Sequence, residues 1–494
     1  MVGWKPSARS AAHIACASAL FWPALACTSN VLSGALGGGG SDAAPSPDGA
    51  VDLGAAPTID ADVAVDAATA SDAMVGGDAE VGTDTGSADT GLDSGVDAGM
   101  MVDAGTPAGR TFLYIGIAGD AFTDGAWVVM TLDPATGQLT EQSRLVLPAG
   151  ETGLDGDFPS WGTITSDGRY LLSVREQRGN RPGRLVSYRI DGTTGALTRV
   201  DAVDTGRGPV HTAMTSDGSA VLVANISGNS LQVFDVMANG TLGTNPQTIA
   251  DICVTPHQVV VRGSDVYVPC LFDEVLRHYR YENQQLSPSP MMSSIPINEG
   301  TAQLERGPRH MVVAPSGQVA YLLTEFSSRV HVLDRDMTSG VLTPRVMGGQ
   351  PVAVLALPLA NTDPTEYRSS EIIIDATGQW LFAGNRHDGP EGGVGNPADD
   401  GVLDSVAVLD IGAGGAPTFR NTVGTGGDVP RSMALTPDED YLVVGNRWGD
   451  DTDQPTLRVF SVSNGTLTQA SETTVSFGGL PGRAYFVGAF RVSP

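Results

Sequence analysis

The sequence has little positive charge. It contains 28 Lys and Arg residues against 56 Asp and Glu residues, so its net charge is −28, and Lys5 is its only lysine. A surface that binds nucleic acid needs clustered cations, and a protein that docks on anionic lipid through charge needs them too. We therefore expect neither kind of partner.

Several catalytic and metal-binding motifs are also absent. The sequence has no Cys-x-x-Cys pair, no zinc-ligand spacing, no phosphate-binding glycine loop and no Gly-x-Ser-x-Gly elbow. We therefore predict no metal and no cofactor. Beyond the N-terminal region, no apolar run is long enough for a transmembrane helix.

Cysteine is scarce. Cys16 and Cys27 lie in the N-terminal region, while Cys253 and Cys270 flank one predicted hairpin. An oxidising compartment permits a disulfide between the second pair. Strict strand pairing, however, places residue 257 rather than residue 253 opposite residue 270, so the sequence leaves this bridge open.

Residues 1–26 have the pattern of a signal peptide. Lys5 and Arg9 form a basic start, a mostly small and apolar stretch follows, and Ala24-Leu25-Ala26 fits a cleavage site just before Cys27. The pattern indicates an exported bacterial protein. Lipid on Cys27 would make it an envelope lipoprotein, which we favour, and this lipid is the only membrane contact that we expect. Plain cleavage would instead give a secreted protein.

Residues 27–109 are predicted to be a disordered linker. Between residues 41 and 109 there are 13 Asp and one Glu, with no Lys or Arg, and no apolar period is sustained. Such a segment buries too little surface to offset its ordering entropy, and its like charges keep it extended. It would hold the following domain away from an envelope surface.

The rest of the chain repeats one hairpin pattern. The pattern is clearest in GPRHMVVAPSGQVAYLLTE, which begins at Gly307, where two apolar runs flank the turn Pro315-Ser316-Gly317. In an antiparallel hairpin, the start of the first strand lies beside the end of the second. Arg309 and Glu325 should therefore be neighbours.

Five further copies of this hairpin, each followed by two weaker strands, give six repeats. The other copies begin at Phe158, Gly208, Thr255, Ser369 and Val429, and the turns of the six copies fall near residues 168, 218, 263, 317, 378 and 439. Four antiparallel strands per repeat are typical of a β-propeller blade. A seventh blade can form from the last run, which begins at Pro481, and the first three strands after residue 109. We predict an all-β fold for residues 110–494, a monomeric seven-bladed β-propeller closed by its N- and C-terminal strands.

Several of these segments resemble the lactonase-type seven-bladed propellers. They are GPRHMVVAPSGQ, TPHQVVV followed by VPCLFDEVLRHY, EIIIDATGQWLFAGNRH and VPRSMALTPDEDYLVVGNR. The family includes bacterial 6-phosphogluconolactonase of the propeller type and fungal carboxy-muconate lactonizing enzyme. The resemblance covers essentially all of residues 110–494 and implies a lactone hydrolase that acts on a small lactone or carboxylate.

Polar residues recur where the two strands of each hairpin reach the same end of the blade. The first strands start with His211, His257, Arg309, Glu371 and Arg431, and the second strands end with Asn225, Asp273, Glu325, Arg386 and Asn446. The lactonizing members of the family carry a His, two Arg and a Glu in these motifs. The resemblance therefore implies His257, Arg309, Glu325 and Arg386 as catalytic residues. We predict the following substrate contacts: His211, Asn225, Asp273, His310, Glu371, Asn385, Arg431 and Asn446.

These groups have the chemistry that lactone opening requires. Arg309 and Arg386 can stabilise an oxyanion or clamp a carboxylate, and they should hold Glu325 ionised. The same cations should keep His257 neutral, so that it acts first as a base and later as an acid, while Glu325 orients water or substrate. The alternative is a non-catalytic envelope propeller that binds a carboxylate ligand or a protein partner.

Two long loops follow the Arg386 and Asn446 strands. They contain Asp388, Asp399, Asp400, Asp404, Asp450, Asp451 and Asp453, which leaves calcium binding open as an alternative to inert or lid-forming insertions. Export also argues against a phosphorylated sugar lactone, which is a cytosolic metabolite. We expect a different lactone or a ring that carries a carboxylate.

Overall fold

A computed structural model describes residues 110–119, 125–147, 158–176, 182–297, 307–347, 350–356, 367–387, 404–449, 454–476 and 482–492. All of them lie in the second of the two compact units into which the chain divides, Gly91–Pro494. The predicted signal peptide and linker lie outside the described residues, as do all the loop aspartates except Asp404. In the described part of the chain there are strands and turns but no helix that could cross a membrane.

The strands in chain order are β1 (Arg110–Gly119), β2 (Gly125–Leu132), β3 (Leu139–Leu147), β4 (Phe158–Ile164), β5 (Tyr170–Glu176), β6 (Pro182–Ile190), β7 (Leu197–Arg207), β8 (Pro209–Met214), β9 (Ala220–Asn225), β10 (Ser230–Asp235), β11 (Gln247–Ile249), β12 (Val260–Arg262), β13 (Asp265–Cys270), β14 (Val275–Glu282), β15 (Gln285–Pro288), β16 (Ser294–Pro296), β17 (Pro308–Val313), β18 (Val319–Thr324), β19 (Arg329–Arg335), β20 (Leu342–Pro344), β21 (Val346–Met347), β22 (Gln350–Pro351), β23 (Ala353–Leu355), β24 (Tyr367–Ile374), β25 (Trp380–His387), β26 (Ser405–Ile411), β27 (Pro417–Gly424), β28 (Gly427–Leu435), β29 (Tyr441–Gly449), β30 (Thr456–Ser463), β31 (Thr466–Thr474) and β32 (Gly482–Val492).

The predicted hairpins are confirmed. In the Gly307 copy, β17 and β18 pair antiparallel, with Val312 opposite Tyr321. The turn residue has a left-handed φ in all six copies, namely Gly168, Gly218, Gly263, Gly317, Gly378 and Glu439. Glycine adopts this conformation without a steric penalty. Glu439 adopts it with φ of 61°, and its carboxylate accepts a 2.7 Å hydrogen bond from the Ala376 amide.

Seven antiparallel sheets form the blades. Six are continuous in sequence, and the seventh has the order β3-β2-β1-β32. Its inner strand therefore comes from the C-terminal end of the described chain, with Leu113 opposite Ala489. This confirms the predicted composite blade, which pairs strand edges that would otherwise be open.

The inner strands close a ring. In order, β4, β8, β12, β17, β24 and β28 each contact the next, β28 contacts β32, and β32 contacts β4. Apolar clusters fill the space between neighbouring blades: Ala224 and Val233 of one blade, for example, share a buried cluster with Val259, Val268 and Tyr279 of the next. The core thus consists of the faces between sheets, and the inner strand ends remain for polar groups.

One feature of the inner strands positions the polar groups. The pairing register shifts near the start of β4, β8, β17, β24 and β28, at Ser160, Val210, Arg309, Ser370-Glu371 and Arg431. A bulge leaves a residue out of the ladder and turns its side chain away from the regular alternation. Arg309 and Arg431 are both such residues.

Cys253 and Cys270 form a disulfide with their Cα atoms 6.0 Å apart. The residue opposite Cys270 is Pro256, in an isolated bridge, rather than residue 257 as strict pairing suggested. The strand β12 begins only at Val260, and Thr255 has φ of 57°. The chain before His257 therefore leaves regular pairing, which brings Cys253 back to its partner.

Candidate active site

An Arg–Glu–Arg array lies at the bulged ends of two neighbouring blades. Arg309 Nε donates to Glu325 Oε2 at 2.9 Å, and Arg386 Nη2 lies 2.9 Å from Glu325 Oε1. The predicted contact between Arg309 and Glu325 is therefore present. Further hydrogen bonds fix both guanidinium groups: Arg309 donates to the Ser370 carbonyl, and Arg386 Nε donates to the Arg368 carbonyl at 3.1 Å.

The array is buried but remains ionised. Burial raises the pKa of Glu325, but Arg386 and Arg309 outweigh it and lower this pKa to about 2. Burial lowers the pKa of Arg309 to about 9, against the opposing effect of Glu325, so the guanidinium is still charged at neutral pH. These directions agree with the predicted ionised carboxylate.

A second array joins two imidazoles and a carboxyl group from three blades. His310 Nε2 lies 3.2 Å from His257 Nδ1, and His310 Nδ1 lies 2.7 Å from Glu371 Oε1. Glu371 Oε1 also accepts a 3.2 Å hydrogen bond from the Ile372 amide. The exposed fractions are 7% for His257, 3% for His310 and 1% for Glu371. His257 is therefore the end of this array that lies nearest to solvent.

Trp161 and His211 form the wall behind the imidazoles. The rings of Trp161 and His211 stack with centroids 4.2 Å apart, and Trp161 meets His310 edge-on at 5.6 Å. His211 Nδ1 accepts from the Val259 amide at 3.4 Å, so its proton lies on Nε2. Trp161 also lines a small cavity of about 30 Å³ with Phe486 and other inner-strand residues, so this cavity adjoins the imidazole wall and not the Arg–Glu–Arg array.

The imidazoles are neutral and the carboxyl of Glu371 is a weak acid. Burial, followed by the charges of Arg309 and other nearby arginines, lowers the pKa of His257 and His310 well below 6.5. Burial raises the pKa of Glu371 to about 8, although Arg309 acts in the opposite direction. Burial and the neighbouring His310 and Arg309 also lower the pKa of His211.

Arg431 and Arg447 form the half-buried rim of the site, around Tyr485. Their Cζ atoms lie 4.9 Å and 4.8 Å from the centre of the Tyr485 ring. Burial lowers the pKa of Arg447 to about 10, and Arg431 and Arg386 contribute to this shift. Arg447 is a site residue that the sequence reasoning missed, although the motif Gly-Asn-Arg occurs at both 384–386 and 445–447 and could have revealed it.

The remaining predicted contacts form hydrogen bonds with groups outside these arrays. Asn225, Asn385 and Asn446 are fully buried. Their side-chain amides donate to Ser230 and Gln232, to the Ala356 carbonyl, and to Thr425 and Thr456, respectively. Asp273 accepts from the Val254 amide at 2.8 Å. These bonds fix strands and loops within the blades.

The register explains this division. Asn225 pairs with Pro209, Asn385 with Ser369 and Asn446 with Pro430, whereas Arg386 and Arg447 each follow one of these asparagines. A shift of one residue changes the face on which a side chain lies. The five predicted strand starts therefore occupy two successive positions along the inner strands. His257, Arg309 and Arg431 occupy the first position, and His211 and Glu371 occupy the second, as His310 does.

No group of three metal-ligating side chains occurs within the described ranges. Asp404 is buried, and its carboxylate accepts a 3.0 Å hydrogen bond from the Val429 amide. The other six loop aspartates that raised the question of calcium lie outside the described residues.

Comparison with known proteins agrees with this architecture. The family model described as "Lactonase, 7-bladed beta-propeller" matches residues 114–478. The chain is 23% identical over 309 residues to a 6-phosphogluconolactonase of Formosa agariphila, a match that covers 58% of this chain and 78% of that protein. It is 25% identical over 302 residues to a 6-phosphogluconolactonase of Bacillus subtilis, with 58% and 77% covered.

A solved structure with a similar fold is the periplasmic gluconolactonase of Pseudomonas aeruginosa. Its TM-score is 0.62 at 22% identity, and the match covers 77% of this chain and 99% of that chain. A likeness at this identity concerns the fold alone, whereas the family model spans most of the chain. The chain therefore belongs to the lactonase family of seven-bladed β-propellers and is a hydrolase of the lactonase type.

Proposed function

We propose that the protein opens a sugar-acid lactone that carries an anionic group, by attack of water at the ring carbonyl. The observation that carries the proposal is the ionised Arg309–Glu325–Arg386 array next to a neutral imidazole, His257, at the inner strand ends. The names of the relatives, which are lactonases of phosphogluconate or gluconate lactones, support the sugar-acid class.

Arginine stabilises the oxyanion that forms when water attacks the carbonyl. Arg386 keeps 7% of its surface exposed, whereas Arg309 is only 2% exposed and is bound to Glu325 and Ser370. We therefore assign the direct contact with the oxyanion to Arg386. Arg309 acts as a buried positive charge beneath it and not as the carboxylate clamp suggested by the sequence.

His257 takes the proton of the attacking water and later returns it to the leaving alkoxide. Its Nδ1 is used by His310, so Nε2 is the nitrogen for water. Since Glu325 has a pKa of about 2, its carboxylate is too weak a base to compete near neutral pH. It accepts hydrogen bonds from both arginines and so fixes their positions.

Arg431 and Arg447 support a negatively charged substrate. They bring two more guanidinium groups to a site where Glu325 is held ionised by two arginines and Glu371 is protonated below about pH 8. The site is therefore locally positive in a chain whose net charge is −28. Such a site concentrates an anion and orients it. A carboxylate on the lactone meets this requirement without the phosphate of a cytosolic sugar.

Lactone hydrolysis by the purified protein tests this function. We expect turnover of glucono-1,5-lactone, measured as acid release in a pH-stat, and a higher kcat/KM for a lactone with a free carboxylate, such as glucaro-1,4-lactone. A third substrate, glucono-1,5-lactone 6-phosphate, carries a phosphate in place of the carboxylate, so its kcat/KM shows which of these two anionic groups the site prefers. Arg386→Gln should lower kcat by about 100- to 1,000-fold. Arg420→Gln, which removes the same charge from the outer strand β27, should leave kcat unchanged.

Binding of these lactones without turnover, or full activity in the Arg386→Gln variant, would contradict the proposed hydrolysis. Binding alone would leave the alternative of an envelope propeller that only recognises a carboxylate ligand. Calorimetric titration with the same lactones measures binding separately from turnover, and so it identifies a propeller that binds these lactones without hydrolysing them.

We also propose that the protein is exported and is a monomer. The Cys253–Cys270 disulfide supports an oxidising compartment. Metabolic labelling with a fatty acid should mark the wild type and not Cys27→Ser. A Cys27→Ser variant that still carries the label, or that stays attached to membranes, would contradict lipid attachment at Cys27. Gel filtration with light scattering measures the oligomeric state.

A further inference from the structure

Glu371 and His310 are too deeply buried for the role that the sequence suggests. Both are predicted substrate contacts, yet their exposed fractions are 1% and 3%. Glu371 Oε2 has no hydrogen-bond partner among the described residues, although a buried carboxylate normally has its oxygens satisfied. Substrate contact therefore does not explain why a carboxyl group that can be protonated or accept a proton lies at position 371.

We propose that His257, His310 and Glu371 form a proton relay, in which the proton that His257 takes from the attacking water is balanced by a proton delivered to Glu371. The relay rests on the proposed lactone hydrolysis and assigns the base of that reaction. The separations of 3.2 Å and 2.7 Å are both within hydrogen-bond range, so the array is continuous from His257 Nδ1 to Glu371 Oε1.

The relay has two hydrogen-bond arrangements. When Glu371 is ionised, His310 Nδ1–H donates to it, His257 Nδ1–H donates to His310 Nε2, and His257 Nε2 is an acceptor. When Glu371 is protonated, each donor and acceptor is reversed and His257 Nε2 carries a proton. The first arrangement is a base and the second is an acid.

Hydrolysis converts the first arrangement into the second. A water oxygen bonds to the lactone carbonyl carbon as its proton passes to His257 Nε2, the Nδ1 proton of His257 passes to His310 Nε2, and the Nδ1 proton of His310 passes to Glu371. The carbonyl electron pair moves to the oxyanion. When the ring C–O bond breaks, the alkoxide takes the Nε2 proton of His257, and the reverse transfers return Glu371 to its carboxylate form. The new acid loses its proton to solvent.

The charges around the array favour this path over an imidazolium. Arg309, Arg386 and Arg431 face His257 and His310, Arg309 and Arg431 also face Glu371, and His211 adjoins His310. Glu325 is the only ionised carboxylate that the described residues place against this array. A positive imidazole there would be repelled by three arginines. In the relay, both imidazoles stay neutral and the proton rests on a group whose pKa is about 8.

Two measurements test the relay, and one of them does not require turnover. In the wild-type protein, ¹⁵N NMR of the imidazoles should show His257 changing from the Nε2–H to the Nδ1–H tautomer as pH rises through about 8. In Glu371→Gln this change should be absent near pH 8. No tautomer change in the wild type between pH 6 and 10 would overturn the relay whether or not a lactone is opened.

The second measurement is the pH dependence of kcat/KM. We expect the wild-type rate to rise through an apparent pKa of about 8. In Glu371→Gln and His310→Gln, this limb should move below pH 6.5 and the plateau should fall by about 100-fold, a typical loss for a general base. The double variant should lose no more than either single variant, because the two residues act as one unit.

His331→Gln is the matched control. His331 is 2% exposed on β19, in the same blade as His310, but outside the relay. We expect the wild-type pH limb in this variant. A pH limb near 8 that persists in Glu371→Gln, or losses that add in the double variant, would refute the relay while leaving lactone hydrolysis intact. Absence of any turnover would instead refute the proposed function, and the tautomer measurement would still decide the relay.

Discussion

Replacement of Glu371 by Gln should make the protein more stable at alkaline pH. The pKa of Glu371 is about 8 in the folded chain and about 4.5 for an unperturbed glutamate. Between these values the folded state holds a proton that the unfolded state has lost, so stability falls as pH rises through this window. A shift of about 3.5 units at about 1.36 kcal/mol per unit gives a loss of about 5 kcal/mol by pH 8.

The amide that replaces the carboxyl group in Glu371→Gln is neutral at every pH and so would not suffer this loss. We expect Glu371→Gln to exceed the wild type by about 4 kcal/mol at pH 8.5, after about 1 kcal/mol is deducted for an altered hydrogen bond to His310. At pH 4.5 the two proteins should agree within about 1 kcal/mol. Urea titrations followed by tryptophan fluorescence measure both free energies of unfolding, and Trp161 next to His310 provides a local signal.

Glu325→Gln is the comparison variant, because this substitution should lower the free energy of unfolding where Glu371→Gln should raise it. The folded pKa of Glu325 is about 2, so its stabilisation is present above pH 4.5 and is lost as pH falls towards 2. This variant should be less stable than the wild type by about 3 kcal/mol at pH 7. If Glu371→Gln were as unstable as Glu325→Gln at pH 8.5, the pKa of Glu371 would not be raised in the folded protein and the reasoning would fail.

Three further outcomes follow from the described contacts. Arg386→Gln should lower kcat by about 100- to 1,000-fold, as loss of an oxyanion donor does, with the circular dichroism spectrum unchanged; a fall in affinity alone would contradict the role. Arg447→Gln should raise KM about tenfold for a carboxylate-bearing lactone, equivalent to about 1.4 kcal/mol, and leave KM for neutral glucono-1,5-lactone unchanged; equal effects on both would exclude an anion contact. Cys270→Ser should lower the free energy of unfolding by about 2–4 kcal/mol, and an unchanged value in urea titrations would show that the disulfide does not stabilise the folded state.

The blades were predictable because the signals that specify them are local. Each hairpin combines two apolar runs with a turn residue that has a left-handed φ, as at Gly317. The composite blade was predictable from strand order alone, because six repeats left one inner strand at the end of the chain and three strands at its start. The neighbourhood of Arg309 and Glu325 followed from antiparallel pairing.

The spacing of residues in the sequence did not predict which polar side chains belong to the site and which form buried strand contacts. The bulges at Arg309 and Arg431 shift the face by one residue, and Arg309 at the first of them donates to the Ser370 carbonyl of the next blade. Asn446 and Arg447 show the consequence: these adjacent residues have opposite roles, one a buried strand contact and the other part of the half-buried rim. The burial of His310 likewise depends on Trp161, which lies in a different blade.

The composite blade also bears on how the chain is made. The strand β32 pairs with β1 and brings Tyr485 between Arg431 and Arg447. During synthesis this strand leaves the ribosome after the other thirty-one described strands, so neither the ring nor the arginine rim can be completed before it has emerged. A product that stops short of β32 would lack both the closure and the substrate-facing rim, and premature termination would therefore yield an inactive, protease-sensitive chain and not a weakened enzyme.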